Sequence, residues 1–104
     1  MPENREVTEG LQYQGEDEKI AYTISTTPWG SSPTSISAVV KDVSNAATDV
    51  TGTVMPTGSP SAAGDVITLP LLQALTAAHL YRVEVKFTCS GNTFEAWFYV
   101  QGET

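Results

Sequence analysis

The 104 residues of this chain are enough for one β-sandwich core but too few for two separate cores. The formal net charge is −7, and six of the twelve acidic residues lie within the first 18 positions. The remainder is nearly neutral and has no basic stripe, which excludes a phosphate-backbone binder, so we expect no nucleic-acid partner. Thr, Ser, Val and Gly are abundant and convincing amphipathic helices are absent, so the composition favours an all-β domain.

The amino-terminal segment differs in character from the rest of the chain. Residues 1–15 are polar and acidic and have no sustained periodicity, so we predict a flexible acidic arm there and one folded domain over residues 16–104. Only Leu11 and Tyr13 in this arm could dock on the domain. No positive segment is followed by an apolar run, and no run is long enough to cross a bilayer, so we expect a cytosolic protein without a membrane partner.

Four strands are predicted before the last hairpin, and in the first of them apolar and polar residues alternate with a period of two. They cover residues 19–25, 35–43, 49–55 and 66–69. A bend with two prolines and a glycine follows the first strand, a short turn follows the second, and a loop of Pro, Gly, Ser and Ala follows the third.

The segment between residues 70 and 81 contains two signals. Pro70 stands where a first helical turn tolerates proline, and the leucines that follow it repeat at helical spacing, so we predict a single helical turn between the sheets. Leu75-Thr76 precedes Tyr81 by the interval of a tyrosine corner, in which the Tyr hydroxyl bonds the backbone a few residues upstream. We expect this bond in the turn formed by residues 75–78.

The last hairpin gives the strongest pattern in the chain. Apolar residues occupy every second position from Tyr81 to Cys89, and Gly91-Asn92 suits a two-residue hairpin turn. With that turn, the predicted pairs are Cys89 with Phe94, Phe87 with Ala96, Val85 with Phe98 and Val83 with Val100. Together these signals predict an immunoglobulin-like β-sandwich of about six to seven antiparallel strands, with a tyrosine corner and one short helical turn.

No catalytic, cofactor-binding or metal-ligating constellation is evident. Cys89 is the only cysteine, and its parity places it inside the domain as a small apolar residue. His79 has no partner at a recognisable triad spacing, which favours a solvated loop histidine. The aspartates that flank the turns lack the dense spacing of a calcium loop, so we expect them to cap turns; they are Asp42, Asp49 and Asp65.

Two aromatic side chains stand on the outer side of the predicted hairpin. Its register turns Trp97 and Tyr99 away from the core, opposite Lys86 and Glu84 respectively. Two alternatives remain open: the rings are covered by Lys86 or by the acidic arm, or they form a contact surface for another protein. Trp29 has a similar ambiguity, because a loop aromatic either plugs one end of the sandwich or stands out as an anchor.

Several segments resemble small proteins encoded among the structural genes of tailed bacteriophages and prophages. The matching segments are residues 20–34, 41–42, 49–51, 64–70, 75–76 and 81–85. The resemblance implies a non-enzymatic virion or assembly protein whose immunoglobulin-like module binds other phage structural proteins of the capsid, neck or tail. It also implies a virion location after synthesis in the host bacterial cytoplasm, and it assigns no catalytic residue.

A competing interpretation is a carbohydrate-binding or adhesion module. In that case Trp29, Trp97 and Tyr99 would form a platform for sugar rings. In the phage interpretation the same three residues, with Lys86, are the candidate partner-binding residues. Self-association into a homo-oligomer is compatible with either reading.

Overall fold

The computed structural model describes residues 11–27, 30, 32–89 and 91–104, which are mostly β-structure. The strands are β1 (Gln12–Gly15), β2 (Ile20–Ser25), β3 (Thr34–Asp42), β4 (Thr48–Asp49), β5 (Ser61–Ala63), β6 (Val66–Leu72), β7 (Leu80–Cys89) and β8 (Asn92–Glu103). A 3-10 turn spans Val43–Asn45 and one short helix, α1, spans Thr51–Val54. The prediction of an all-β fold is confirmed.

The strands form two sheets that share one core. The larger sheet has the order β1-β8-β7-β3-β4 and the smaller has the order β2-β6-β5. All pairs are antiparallel except β1 with β8, which is parallel. Buried residues from both sheets make one cluster, and the Tyr22 and Phe98 rings meet across it with centroids 5.3 Å apart. The core therefore lies between the sheets, and each sheet has an outer face.

The hairpin register differs from the predicted one by two residues. Cys89 pairs with Asn92, and Phe87 pairs with Phe94, so the turn lies between Cys89 and Asn92 rather than at Gly91-Asn92. Gly91 has a φ of 82°, which a glycine adopts without strain. Because side chains alternate with a period of two, a shift of two residues leaves every inward and outward assignment unchanged.

The predicted third strand over residues 49–55 is wrong. The strand β4 ends at Asp49, and α1 begins two residues later. The reason is local: Thr51 donates its backbone N–H and its hydroxyl to Oδ1 of Asp49, at 3.0 and 2.7 Å. The Thr51 hydroxyl oxygen also accepts a hydrogen bond from the Val40 N–H at 2.8 Å, which fixes the start of α1 against β3.

These contacts predict a pH-dependent contribution of Asp49 to stability. The backbone and side-chain hydrogen bonds from Thr51 hold the pKa of Asp49 below its ordinary 3.8. A carboxyl with a lower pKa in the folded state stabilises that state above the unfolded pKa, and the contribution is lost as pH falls through the folded pKa. We expect Asp49→Asn to unfold at a lower urea midpoint than the parent at neutral pH, and the gap to close below pH 3.8.

The control for this experiment is Asp17→Asn, which removes the same charge from an exposed position. That variant should match the parent at every pH. Equal midpoints for Asp49→Asn and the parent at neutral pH would show that the carboxylate does not hold the turn.

The predicted helical turn after Pro70 is also wrong, because β6 continues through Pro70 to Leu72. The pairing with β2 steps from Ala21 opposite Leu71 to Thr23 opposite Thr68, so Tyr22 faces two residues, one of which is Pro70. Such a bulge leaves one residue out of the hydrogen-bond ladder, which suits a residue that lacks an N–H.

The boundary between arm and domain differs from the predicted one. Residues 12–15 form β1, and the Gln14 side chain in its middle is fully buried, so the folded domain includes residues that we assigned to the arm. Hydrophobic periodicity gave no sign of this strand because its one inward-facing, fully buried side chain is polar. The arm prediction for residues 1–10 lies outside the described residues.

The predicted hydrogen bond of Tyr81 is confirmed. The buried Tyr81 hydroxyl accepts a hydrogen bond from the Thr76 N–H at 2.8 Å. Tyr81→Phe removes this acceptor and leaves the amide unpaired, which should cost about 1 kcal/mol of unfolding free energy. Urea unfolding of the two proteins measures the difference, and an unchanged midpoint would mean that the bond contributes nothing to stability.

Candidate protein-interaction face

The candidate site is the side of the five-stranded sheet that points away from the core, here called the outer face. Inward positions of β7 and β8 are buried except for Asn92 at the turn, whereas the alternate positions are half-buried or exposed. The outer face includes the large and charged side chains of β1, β3, β4, β7 and β8 that alternate with the buried ones. They are Tyr13, Val39, Lys41, Asp49, Arg82, Glu84, Lys86, Glu95, Trp97, Tyr99 and Glu103.

Trp97 is half-buried and lies under a cation. It stands opposite Glu84, and the Arg82 guanidinium carbon is 4.5 Å from the centre of its ring. The prediction that Lys86 faces Trp97 is wrong, because the two-residue shift of the register places Lys86 opposite Glu95. A cation over an indole ring is favourable by about 0.5–1 kcal/mol at an exposed site, and it holds the ring in one orientation.

Tyr99 lies beside Trp97 and extends the aromatic surface towards β1. It pairs with Arg82 on β7, whereas Glu84 was the predicted neighbour. Tyr13 on β1 adds a third ring at this edge, with 60% of its surface exposed. The sequence analysis places Tyr13 in the arm, whereas the structure pairs it with Gln101 of β8.

A shallow depression of about 210 Å³ continues the face towards β3. Its walls include Val39 and Ser37 from β3, Glu84 and Lys86 from β7, and Glu95 from β8. The depression is open to solvent and mixes apolar with charged walls.

Along β7 the charges of the outer face alternate in sign, from Arg82 through Glu84 to Lys86. Arg82 Nε lies 3.1 Å from Oε2 of Glu84, a close ion pair in which Nε itself makes no aligned hydrogen bond. Three of the four cationic residues in the described part of the chain lie on this face. They are Lys41, Arg82 and Lys86. The face is therefore close to neutral in a protein that is otherwise acidic.

The remaining candidate residues, the cysteine, the turn aspartates and the histidine, make contacts that hold the fold together. Cys89 is buried, as predicted. Asp65 accepts a hydrogen bond from the Ser32 N–H at 3.1 Å, which ties the start of β6 to the segment before β3. The predicted turn capping is seen instead at Asp49, which accepts the Thr51 N–H. Asp42 differs: it is buried, and its Oδ2 lies 2.8 Å from Nδ1 of His79, so His79 is not simply solvated. Both residues hold the start of β7 against the end of β3.

Among the described residues, no group of three or more histidine, cysteine or acidic side chains could hold a metal ion. No described helix has the length and apolar character needed to cross a membrane. Trp29, the fourth predicted partner-binding residue, lies outside the described residues, so its position relative to Trp97 and Tyr99 stays a prediction.

No protein-family model, curated protein or solved structure matches this chain. The resemblance to phage structural-region proteins therefore rests on the sequence segments given above.

Proposed function

We propose that this chain is a non-enzymatic protein-protein interaction module of a bacteriophage or prophage virion, and that the outer face is its contact surface. The observation that carries this proposal is the juxtaposition of Trp97, Tyr99 and Tyr13 on one exposed sheet face. Large aromatic residues and arginine contribute most of the binding energy at protein interfaces, and a rim of mixed charges is typical of such surfaces.

We infer further that the fold is an immunoglobulin-like sandwich. The strand order supports this inference. In the larger sheet the first strand, β1, lies parallel to the last, β8, and β7, β3 and β4 follow in that order. The smaller sheet contains β2, β6 and β5 and packs on the larger one. In such domains a tyrosine near the start of the penultimate strand bonds the upstream backbone, and Tyr81 at the start of β7 makes that contact.

The virion assignment is supported by the resemblance of most of the chain to phage structural-region proteins. The proposed partners are capsid, neck or tail proteins, and the proposed location is the assembled particle. Interaction modules of this kind need a rigid scaffold and an exposed adhesive face rather than a catalytic cleft, which agrees with the geometry of the outer face.

The alternative is a carbohydrate-binding or adhesion module. Sugar rings stack on exposed aromatic faces, and Trp97 with Tyr99 provides two neighbouring rings. However, the Arg82 guanidinium occupies a position 4.5 Å above the Trp97 ring and would have to leave before a sugar could stack there. This contact favours a protein partner, for which an arginine over an indole is an ordinary anchor.

The test is the double variant Trp97→Ala with Tyr99→Ala. Central interface aromatics commonly contribute about 2 kcal/mol or more, so we expect co-purification with capsid and tail proteins and incorporation into particles to fall at least about tenfold. The matched control is Val66→Ala with Leu71→Ala, which truncates two exposed apolar residues on the smaller sheet. Circular dichroism checks that both double variants are folded.

A folded Trp97/Tyr99 double variant that enters particles as well as the parent would exclude the outer face as the contact surface. Equal losses in both double variants would show that the effect is not specific to this face. Tight binding of the parent to a glycan array, abolished by the same double variant, would instead support the carbohydrate-binding alternative.

A further inference from the structure

Two adjacent rows of side chains cross the outer face. The first row is Lys41, Arg82 and Tyr99, from β3, β7 and β8 in that order, with Asp49 of β4 beside Lys41. The second row is Val39, Glu84 and Trp97 from β3, β7 and β8. On β7 and β8 the corresponding positions of the two rows are complementary: a cation on β7 neighbours a carboxylate, and a tyrosine on β8 neighbours a tryptophan.

We propose that the outer face binds a second copy of this chain, an inference that rests on the proposed role of this face as a protein contact surface. The two copies would be related by a two-fold axis that lies in the plane of the face, runs perpendicular to the strands and passes between the two rows. Rotation about this axis places the first row of one copy opposite the second row of the other copy. Arg82 then faces Glu84 of the second copy, and Tyr99 faces Trp97 of the second copy. Both pairs occur twice, as a two-fold interface requires.

The intramolecular contacts of Arg82 are compatible with this pairing. Its Nε lies beside Glu84 of the same chain, and a guanidinium carries five N–H donors in a fixed fork. A second carboxylate from the other copy would therefore complete an alternating arrangement of two arginines and two glutamates. Such an arrangement excludes partners with the wrong sign of charge more than it adds raw affinity.

The charge of the rest of the molecule directs a second copy to this face. Apart from the outer face, the described residues hold five carboxylates and one lysine. They are Glu16, Asp17, Glu18, Asp42 and Asp65, with Lys19. Two copies that approach through these surfaces repel each other, whereas the outer face holds three cations against four carboxylates and is close to neutral.

The outer face is also large enough for a dimer. A nine-residue strand such as β3 is about 30 Å long, and five strands are about 20 Å wide, which gives on the order of 600 Å² before side chains are counted. Stable interfaces of standard size bury about 800 Å² on each partner. The face is thus comparable to what a modest, concentration-dependent dimer needs.

The test is sedimentation equilibrium of the full chain between about 1 and about 200 μM, a range that covers interfaces of moderate affinity. The parent should show a mass that rises from 11.1 kDa towards twice that value. Glu84→Arg places like charges opposite each other and should weaken dimerisation at least about tenfold. The swapped pair, Arg82→Glu with Glu84→Arg, restores opposite charges across the axis and should recover dimerisation.

Glu16→Arg is the control, because it makes the same charge change on an exposed residue away from the outer face, and it should dimerise like the parent. Circular dichroism and urea unfolding check the fold of each variant, and Tyr99→Ala replaces Glu84→Arg if the latter fails to fold. A parent that stays at 11.1 kDa throughout overturns the proposal. A dimer that Glu84→Arg and Tyr99→Ala leave intact also overturns it, as does a folded swap that stays monomeric.

These outcomes are distinguishable from failure of the proposed function. If the parent is monomeric but its Trp97/Tyr99 double variant is lost from particles, the proposed dimer is wrong and the proposed contact with virion proteins stands. If the parent is dimeric and its double variant is monomeric but still enters particles normally, the proposed dimer stands. The outer face is then not the contact surface for virion proteins.

Discussion

Gly102→Ala should destabilise this protein by about 3 kcal/mol, because the added methyl group has no space. A Cβ built on Gly102 would overlap the carbonyl oxygen of Thr76 and lie 3.2 Å from its carbonyl carbon. Both atoms belong to backbone that cannot rotate away: Gly102 exchanges hydrogen bonds with the same turn, donating to the His79 carbonyl and accepting from the Ala78 N–H, each at 2.9 Å. The Thr76 amide is in turn held by Tyr81.

Gly52→Ala is the matched control for this substitution. Gly52 lies in α1, and a Cβ built there meets nothing within 4 Å. Alanine is the better helix former, so Gly52→Ala should be as stable as the parent or slightly more stable. Urea midpoints of the three proteins decide the matter. A Gly102→Ala protein that unfolds with the parent would show that β8 and the Tyr81 turn can separate without cost.

The sequence predicts those parts of this fold that depend on residue parity. The alternation in β7 and β8 assigns inward and outward side chains, and the assignment survives the two-residue error in register because the side-chain period is two. The Tyr81 contact is predictable for a similar reason, since a fixed interval along the chain brings one hydroxyl to one amide. The outward positions of Trp97 and Tyr99 follow from the same parity.

The parts that the sequence does not predict depend on single hydrogen bonds or on contacts between distant residues. Apolar alternation around residues 49–55 resembles a strand, but the bonds from Thr51 to Asp49 start a helix instead. Pro70 suggests the start of a helix, but a bulge opposite Tyr22 accommodates it inside β6. Arg82 over Trp97 depends on the turn at the end of the hairpin, because the shift of two residues places Glu84 instead of Lys86 opposite Trp97 and leaves Arg82 to cover the ring diagonally.

Gln14→Ala should be the second strongly destabilising substitution, at about 3 kcal/mol. Gln14 is fully buried, and its amide nitrogen donates to the carbonyl oxygens of Leu72 and Glu18 at 2.7 and 3.0 Å. Its amide oxygen accepts a hydrogen bond from the Tyr22 hydroxyl at 2.9 Å. Burial, with a further contribution from Glu18, raises the pKa of Tyr22, so this hydroxyl stays protonated and remains a donor at neutral pH.

The cost follows from the number of groups that lose a partner. Each buried donor or acceptor left unsatisfied costs about 1–3 kcal/mol, and alanine also leaves a cavity at the junction of β1 with the smaller sheet. Glu16→Ala is the control, because it truncates an exposed side chain next to the same strand and should leave the urea midpoint unchanged. If Gln14→Ala unfolds at the parent midpoint, β1 contributes nothing to stability and the folded domain effectively begins at residue 16, as the sequence alone indicates.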